Sequence, residues 1–404
     1  MTILGIETSC DETALALMET RNDNGALECR IISSLIHSQA AMHEPYGGVY
    51  PNLAKREHGK HLPRLLEKLL EDAGLERRDL SKAEILAKRD SLERFYNENA
   101  AKNPDLFEAL KGTDFLETVP AIDCLAVTAG PGLEPALWVG INFAKILSLA
   151  WSKPLVAVNH MEGHVLGSLL ESDKADGKWQ KLKTVRFPAL ALLISGGHTE
   201  LVTIKSRSDM NNGAEAIDYE VIGRTRDDAL GEAFDKAARL LGLPYPGGPQ
   251  ISRLAEEARR SDIIPSIRLP RPMMKSGDLD FSFSGLKTAV LYAVRAHQSA
   301  STETFKRELA LEFEEAVADV LDHKLRAAIE KTGAKTLIVG GGASANKRLR
   351  QIFQKTADEL SLPLYLPSGH VSGDNALMIA LAGAFHSGGE NTDMKADGGK
   401  RIDA

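Results

Sequence analysis

Two histidines four residues apart, in Asn159-His160-Met161-Glu162-Gly163-His164, are the side chains in this chain best spaced to do chemistry. On a helix, His160 and His164 share one face, so their imidazoles can converge on a single metal ion. The run before them, Pro154 to Val158, is short and apolar and reads as a buried strand. A strand end opening into a helix is where α/β proteins usually place a site. Asp374, in Ser368-Gly369-His370-Val371-Ser372-Gly373-Asp374-Asn375, stands just before an apolar helix. It can cap that helix. It can equally complete a two-histidine, one-carboxylate set, which suits Fe(II) or Zn(II) and leaves positions open for a substrate. His370 is a spare candidate ligand, and the favoured reading for it is a plain loop histidine. A zinc protease is disfavoured, because the general base must directly follow the first histidine. Met161 stands there, and Glu162 would point away from the metal.

Two glycine turns offer backbone amides to an anion. Ser195-Gly196-Gly197-His198-Thr199 follows the apolar run that ends at Leu193-Ile194, and such nests bind phosphate or carboxylate. Gly340-Gly341-Gly342-Ala343-Ser344-Ala345-Asn346 precedes a helix whose N-terminus can face the same anion. It lacks the lysine of a phosphate-binding P-loop and the spacing of a dinucleotide fingerprint. Gly247-Gly248, between Pro246 and Pro249, makes a rigid turn. The helix expected from Arg224 to Gly242 carries Asp228, Glu232 and Asp235 on one face. That face is either solvated or presents Asp235 to the hydroxyls of a ribose. Arg268, Arg271 and Lys275, near Phe281 and Phe283, form a local basic patch that is either a nucleic-acid contact or an ordinary loop.

The elements that must position these groups repeat. Residues 3–18 read strand, polar turn, strand, and residues 190–204 repeat the plan. Leu125-Ala126-Val127 leads through Thr128-Ala129-Gly130-Pro131-Gly132 into a helix, and Thr336 to Val339 leads through the second glycine turn into another. The parallel predicts a duplicated α/β fold: two ribonuclease-H-like lobes of the actin-like, sugar-kinase-like kind, with a cleft between them. The N-terminal lobe is expected over 1–159, with a charged helical insertion near 76–118, and the C-terminal lobe over 160–376. Residues 377–404 are expected to be a helix returning to the first lobe and a flexible tail. Leu62, Leu65, Leu66, Leu69 and Leu70 recur at helical spacing, either for packing or for a partner helix. Polar excursions are expected at 171–188 and 205–217.

At 404 residues the chain exceeds one ordinary core. With 43% hydrophobic and 26% charged residues it reads as globular. A net charge of −7 excludes a protein held on nucleic acid by bulk charge. Three cysteines without a CxxC pair suggest reduced thiols and a cytoplasmic setting. No signal peptide or membrane-spanning run is visible.

Taken together, ILGIETSCDETALAL, YGGVYPNLAKREH, TAGPGL, NHMEGH, LLISGGHTELV, DDALGEAFDKAARLLGLPYPGGP, DFSFSGLKTA, GGGASAN and DNALMIALAG resemble, in order, the tRNA N6-adenosine threonylcarbamoyltransferases (the TsaD family), once described as glycoproteases. The resemblance implies transfer of a threonylcarbamoyl group from threonylcarbamoyl-adenylate to N6 of adenosine 37, in tRNAs reading ANN codons. It implies metal ligands at His160, His164 and Asp374. Adenylate-binding positions fall at Leu193, Ile194, Ser195, Gly196, Gly197, Asp235, Gly248 and Asn346. Asp11 or Glu12, in the first hairpin turn, is the expected general base. The implied partners are tRNA, a catalytically inactive paralogous subunit and a P-loop ATPase. The alternative is a non-catalytic scaffold that binds adenylate in the same complex, and a sugar- or acetate-type kinase is a third reading. Glu134-Pro135, Ser372-Gly373 and the charged insertion depart from the family pattern.

Overall fold

The computed structural model describes residues 1–23, 26–115, 117–172, 174–207, 216–297, 302–369, 371–386 and 393–404. Two sheets carry the same plan. The first contains β1 (Thr2–Glu7), β2 (Glu12–Asp23), β3 (Ala26–Ser38), β6 (Cys124–Gly130), β7 (Leu155–Asn159) and β8 (Trp179–Lys181). Their order is β7-β6-β1-β2-β3-β8. The second contains β9 (Ala189–Ile194), β10 (Thr199–Arg207), β11 (Ala216–Arg224), β12 (Thr336–Gly340) and β13 (Leu364–Tyr365), in the order β11-β10-β9-β12-β13. In each, three antiparallel strands open the lobe and two parallel strands extend it. This is the ribonuclease-H-like lobe duplicated, the architecture of actin-like and sugar-kinase-like proteins.

The period-two pattern of the strands decides what each face touches. In β1, Ile3 points into a central core while Leu4 and Ile6 point outward. In β9, Ala189, Ala191 and Leu193 join the same central core, and Leu190, Leu192 and Ile194 face the C-terminal helices. Between the sheets lie α6 (His160–Gly167) and α12 (Ala376–Phe385), both buried for most of their length. Helix α12 rests on β1, β2 and β6 of the first sheet. The approach requires small residues: a Cβ on Gly5 would lie 2.3 Å from the Ala376 carbonyl oxygen, and one on Gly383 would lie 2.4 Å from Ala126 Cβ.

The outer face of the first sheet is covered by α2 (Pro51–Ala73) and α5 (Glu134–Trp151). Leu62, Leu66, Leu69 and Leu70 of α2 are buried there, so the leucine stripe is core packing. Glu134-Pro135 forms the first turn of α5, where proline loses no helical hydrogen bond and glutamate suits the positive end of the dipole. The 76–118 segment is clasped by a two-stranded ribbon of β4 (Arg77–Asp79) and β5 (Thr118–Pro120). It holds α3 (Lys82–Asn99) and α4 (Pro104–Ala109). Helix α3 buries no residue completely, but Tyr96 meets the buried Phe107 edge-on at 5.0 Å. The short α1 (Ala40–His43) leads towards α2, and the C-terminal lobe is completed by α7 (Leu230–Leu240), α8 (Gly247–Arg260), α9 (Ser284–Ala296), α10 (Glu303–Thr332) and α11 (Lys347–Glu359).

Three expectations need correction. The polar stretch 171–188 contains β8, which pairs with β3 and so belongs to the first sheet. Within the excursion at 205–217, residues 205–207 end β10 and 216–217 begin β11, while 208–215 lie outside the described residues. The tail is not simply frayed. Residues 387–392 lie outside the described residues, but 393–404 pack across both lobes. Asp397 N–H donates to the Ala129 carbonyl, the Asn159 side-chain amide donates to the Arg401 carbonyl, and Val221 N–H donates to Asp403. No described helix is long and apolar enough to cross a membrane.

Candidate metal centre and interlobe cleft

Strand β7 ends at Asn159, whose side-chain oxygen accepts from the amides of Met161 (2.9 Å) and Glu162 (3.3 Å). This cap starts α6 at His160 and puts His164 one turn on. The two rings meet edge to face, with centroids 4.7 Å apart. Asp374 Oδ1 lies 3.3 Å from His160 Nε2 and 3.2 Å from His164 Nε2. One ligand atom from each of the three residues falls within 4.8 Å of the others. The choice between cap and ligand is made by the neighbouring residue. Asn375 caps α12 by accepting from Met378 N–H at 3.1 Å, which leaves the Asp374 carboxylate turned to the imidazoles. Ser372 supports this turn by donating to the Gly369 carbonyl. His370 lies outside the described residues.

The donor set fits a divalent metal. His164 Nε2 is fully buried and makes no hydrogen bond, since its close contact with Asp374 is not aligned as one. A buried polar atom left this way is costly unless something else meets its lone pair. Burial holds the His164 imidazole below its ordinary pKa and so neutral, the form that binds metals. Burial would lower His160 as well, but the charges of Asp374 and Glu7 outweigh it and raise that group. Burial disfavours the charged form of Asp374 too, yet the two imidazoles keep its pKa well down. The pocket therefore calls for positive charge, from a protonated His160 or from a cation.

Glu7, at the end of β1, fixes His160. Its Oε2 accepts from His160 Nδ1 at 2.9 Å and from Thr128 Oγ1 at 2.7 Å, and its Oε1 accepts from Ser9 N–H. With the ring proton on Nδ1, the Nε2 lone pair faces the cluster. Glu7 and Thr128 escaped the sequence reading, although a fully buried acid ending an apolar strand is a signal in itself. Glu162 does turn away: its carboxylate accepts from Tyr219 Oη and faces His386.

The cluster stands at one wall of an interlobe cleft of about 770 Å³. Ser195, Gly196 and Gly197 line the facing wall together with Asp235. No hydrogen bond among the described residues engages the Gly196 or Gly197 amide, and a Cβ at either would meet open space. Gly231 at the start of α7 packs directly on this turn, 2.8 Å from Gly196 Cα by its own ideal Cβ. Asp235 accepts from Gly247 N–H at 2.7 Å and so docks α8 on α7. Burial raises its carboxyl. Gly248 and Asn346 line an adjoining chamber of about 530 Å³ that shares Gly196, Asp235 and Gly342 with the cleft. Asn346 caps α11 through Leu349 N–H (3.0 Å) and donates to the buried Glu314 (2.6 Å). Leu193 and Ile194 do not line the cleft; their side chains are fully buried on opposite faces of β9.

Asp11 and Glu12 line the cleft on the N-terminal side, and Tyr245 Oη reaches Asp11 Oδ2 across the lobes at 3.5 Å. Burial, and then the charges of Asp11 and Asp374, push the Glu12 carboxyl up to about 9. His198, also in the cleft, is pushed down to about 4, mainly by burial. The basic patch loses its aromatic half and one of its cations, while Arg268 and Lys275 stay exposed. Arg271 is paired with Glu312 and Asp319, Arg268 with Glu312, and Phe281 and Phe283 are fully buried. Asp228 and Glu232 share Lys236.

Fold and site thus define a two-lobed α/β protein of the actin-like class with a two-histidine, one-carboxylate cluster in its cleft. The family model for the tRNA N6-adenosine threonylcarbamoyltransferases matches residues 30–83 and 108–381. The chain belongs to that family. A tRNA N6-adenosine threonylcarbamoyltransferase of Burkholderia cenocepacia (strain HI2424) is 39% identical over 402 residues, covering 98% of this chain and 95% of the relative. Its counterpart in Methylobacillus flagellatus is 41% identical over 385 residues, covering 95% and 92%. Among solved structures, component A of the Acidaminococcus fermentans (R)-2-hydroxyglutaryl-CoA dehydratase has a TM-score of 0.44 at 11% identity, covering 96% and 99%. The break in the family match falls inside the 76–118 insertion.

Proposed function

We propose that this chain transfers the threonylcarbamoyl group of threonylcarbamoyl-adenylate to N6 of adenosine 37 in tRNAs reading ANN codons. The observation that carries the reading is the joint one: membership of this family along most of the chain, and the His160, His164 and Asp374 cluster opening on the cleft. In the step, N6 attacks the donor carbonyl, a C–N bond forms, the bond to the adenylate oxygen breaks and AMP leaves with its electron pair. The attacking amine must lose a proton. Asp11 or Glu12, neighbouring acids that both line the cleft, would accept it. Ser195, Gly196 and Gly197 would meet the phosphate with fixed dipoles, and Asp235 would hold the ribose. Orienting two reactants in one cleft supplies a large part of the rate.

His160, His164 and Asp374 would hold the metal, with Fe(II) favoured and Zn(II) next for a two-nitrogen, one-oxygen set with open positions. Bound there, it supplies Lewis-acid stabilisation of negative charge. The partners in this reading are tRNA, an inactive paralogous subunit and a P-loop ATPase. The setting is cytoplasmic, in keeping with three unpaired cysteines.

Unmodified tRNA mixed with threonylcarbamoyl-adenylate, this protein and its partner proteins should yield the modified nucleoside by mass spectrometry. A His160→Ala, His164→Ala variant should yield none. No product with matched partners would favour the scaffold, and product that persists in the variant would remove the metal assignment.

A further inference from the structure

The rim of the cleft carries a feature the transfer reaction does not use. Tyr46 and Tyr50 are 62% and 50% exposed, and their rings stack with centroids 5.6 Å apart and planes 21° from parallel. Single exposed apolar residues are ordinary on protein surfaces. These two flank Gly47, Gly48 and Val49, which themselves line the cleft beside Asp11 and Asp374. The segment is held rather than loose. Buried His43 accepts from Tyr50 N–H at 3.2 Å, Gly47 closes a turn onto Glu44 with φ at +67°, and Tyr50 begins α2 by accepting from Leu53 and Ala54. From the other lobe comes Arg239, exposed and lining the same cleft. Its Cδ lies 3.5 Å from where a Cβ of Gly47 would stand, and the guanidinium makes no ion pair among the described residues.

A rigid aromatic face beside an unpaired arginine is the chemistry that holds single-stranded nucleic acid: bases stack on the rings and the cation takes the backbone. A chain of net charge −7 cannot hold RNA by bulk attraction, which makes a stacking contact the more useful kind. We propose that Tyr46 and Tyr50 form a platform for an unpaired base next to the acceptor adenosine, with Arg239 on a nearby phosphate. The inference rests on reading the cleft as the transfer site, and it adds the place where the RNA loop is gripped.

The test measures binding of an RNA stem-loop carrying the unmodified adenosine, by filter retention and without turnover. Tyr46→Ala, Tyr50→Ala should weaken binding roughly tenfold, within the range known for one base on an aromatic ring. Phenylalanine at both positions should restore it, and leucine at both should not. The salt dependence should keep its slope in the tyrosine variants, whereas Arg239→Ala should lower the slope by about 0.7, the share of one single-strand phosphate. Affinity for AMP should not move in the tyrosine variants. Wild-type affinity in the leucine variant would overturn the platform. So would unchanged RNA affinity with a raised requirement for partner protein, which would mark the patch as a protein contact. Failure of the transfer reading shows separately, as wild-type protein that binds the stem-loop and makes no modified nucleoside.

Discussion

Glu7→Gln changes one atom of a side chain that never touches substrate, and it should disable the metal centre. The Glu7 carboxylate accepts from three donors: Ser9 N–H, Thr128 Oγ1 and His160 Nδ1. A glutamine keeps one acceptor oxygen and must aim its amide nitrogen at one of those donors. If the nitrogen faces His160, the ring proton is driven to Nε2 and the lone pair that faces the cluster is lost. If it faces Ser9, a buried backbone N–H goes unpaired. In either case a charge-assisted hydrogen bond becomes at best a neutral one, a loss of about 1–1.5 kcal/mol. The negative charge that favoured a cation beside His160 is gone as well. Together these correspond to a fall in metal affinity of roughly 10–100-fold, the usual effect of removing a partner that orients a ligand. Competition against a chromophoric chelator, with Zn(II) as probe, measures this directly. Melting temperature without metal separates it from a general loss of fold. An affinity within about twofold of wild type would refute the orientation argument.

Three further outcomes follow from the geometry. An Asp11→Asn, Glu12→Gln double variant should slow transfer about 10²-fold or more; a wild-type rate in single-turnover assays would remove both acids from the role of general base. Gly5→Ala should lower stability by about 1–3 kcal/mol, because its Cβ would meet the α12 backbone at 2.3 Å, and an unchanged melting temperature would show that the helix can shift freely. His58 is fully buried, held between Thr13 and the Cys10 carbonyl, and pushed down to about 4 by burial. The unfolded chain takes up a proton near pH 6.5 that the folded chain refuses, so His58 alone should cost about 3 kcal/mol of stability as pH drops from about 6.5 to about 4, beside a further loss from His198. His58→Gln should flatten that part of the pH profile of denaturant unfolding.

What could be read from the sequence was what the chain writes locally. The hairpin at 3–18 and the one at 190–204 carry their period and their turn residues within a few positions, and the glycine turns before α5 and α11 do the same. Their duplication therefore stood out, and with it the two lobes. Features decided by distant partners did not. Arg268 and Arg271 read as a basic patch because Glu312 and Asp319 lie on another helix. Asp374 and Asn375 are adjacent polar residues before one helix, and only the backbone direction decides which of them caps it. Strand β8 has three residues in a polar stretch, so its pairing with β3 leaves no periodic trace. Residues 393–404 look loose by composition, yet their backbone groups are used by Ala129 and Asn159. Leu193 and Ile194 belong to a strand core that ends one residue short of the cleft.

The two lobes send the same two loops to the cleft, and the copies have diverged in charge. The turn between β1 and β2 brings Asp11 and Glu12, while its counterpart between β9 and β10 brings Gly196 and Gly197 with uncommitted amides. Had the halves stayed alike, a ligand would have met two equivalent walls. As they are, one wall carries two carboxyl groups and the other carries glycine amides that no described residue engages. Under the proposed function, a molecule with a phosphate at one end and a reactive carbonyl at the other would therefore have one favourable heading between the lobes. The divergence gives the cleft a direction, and the proposed transfer would run along it.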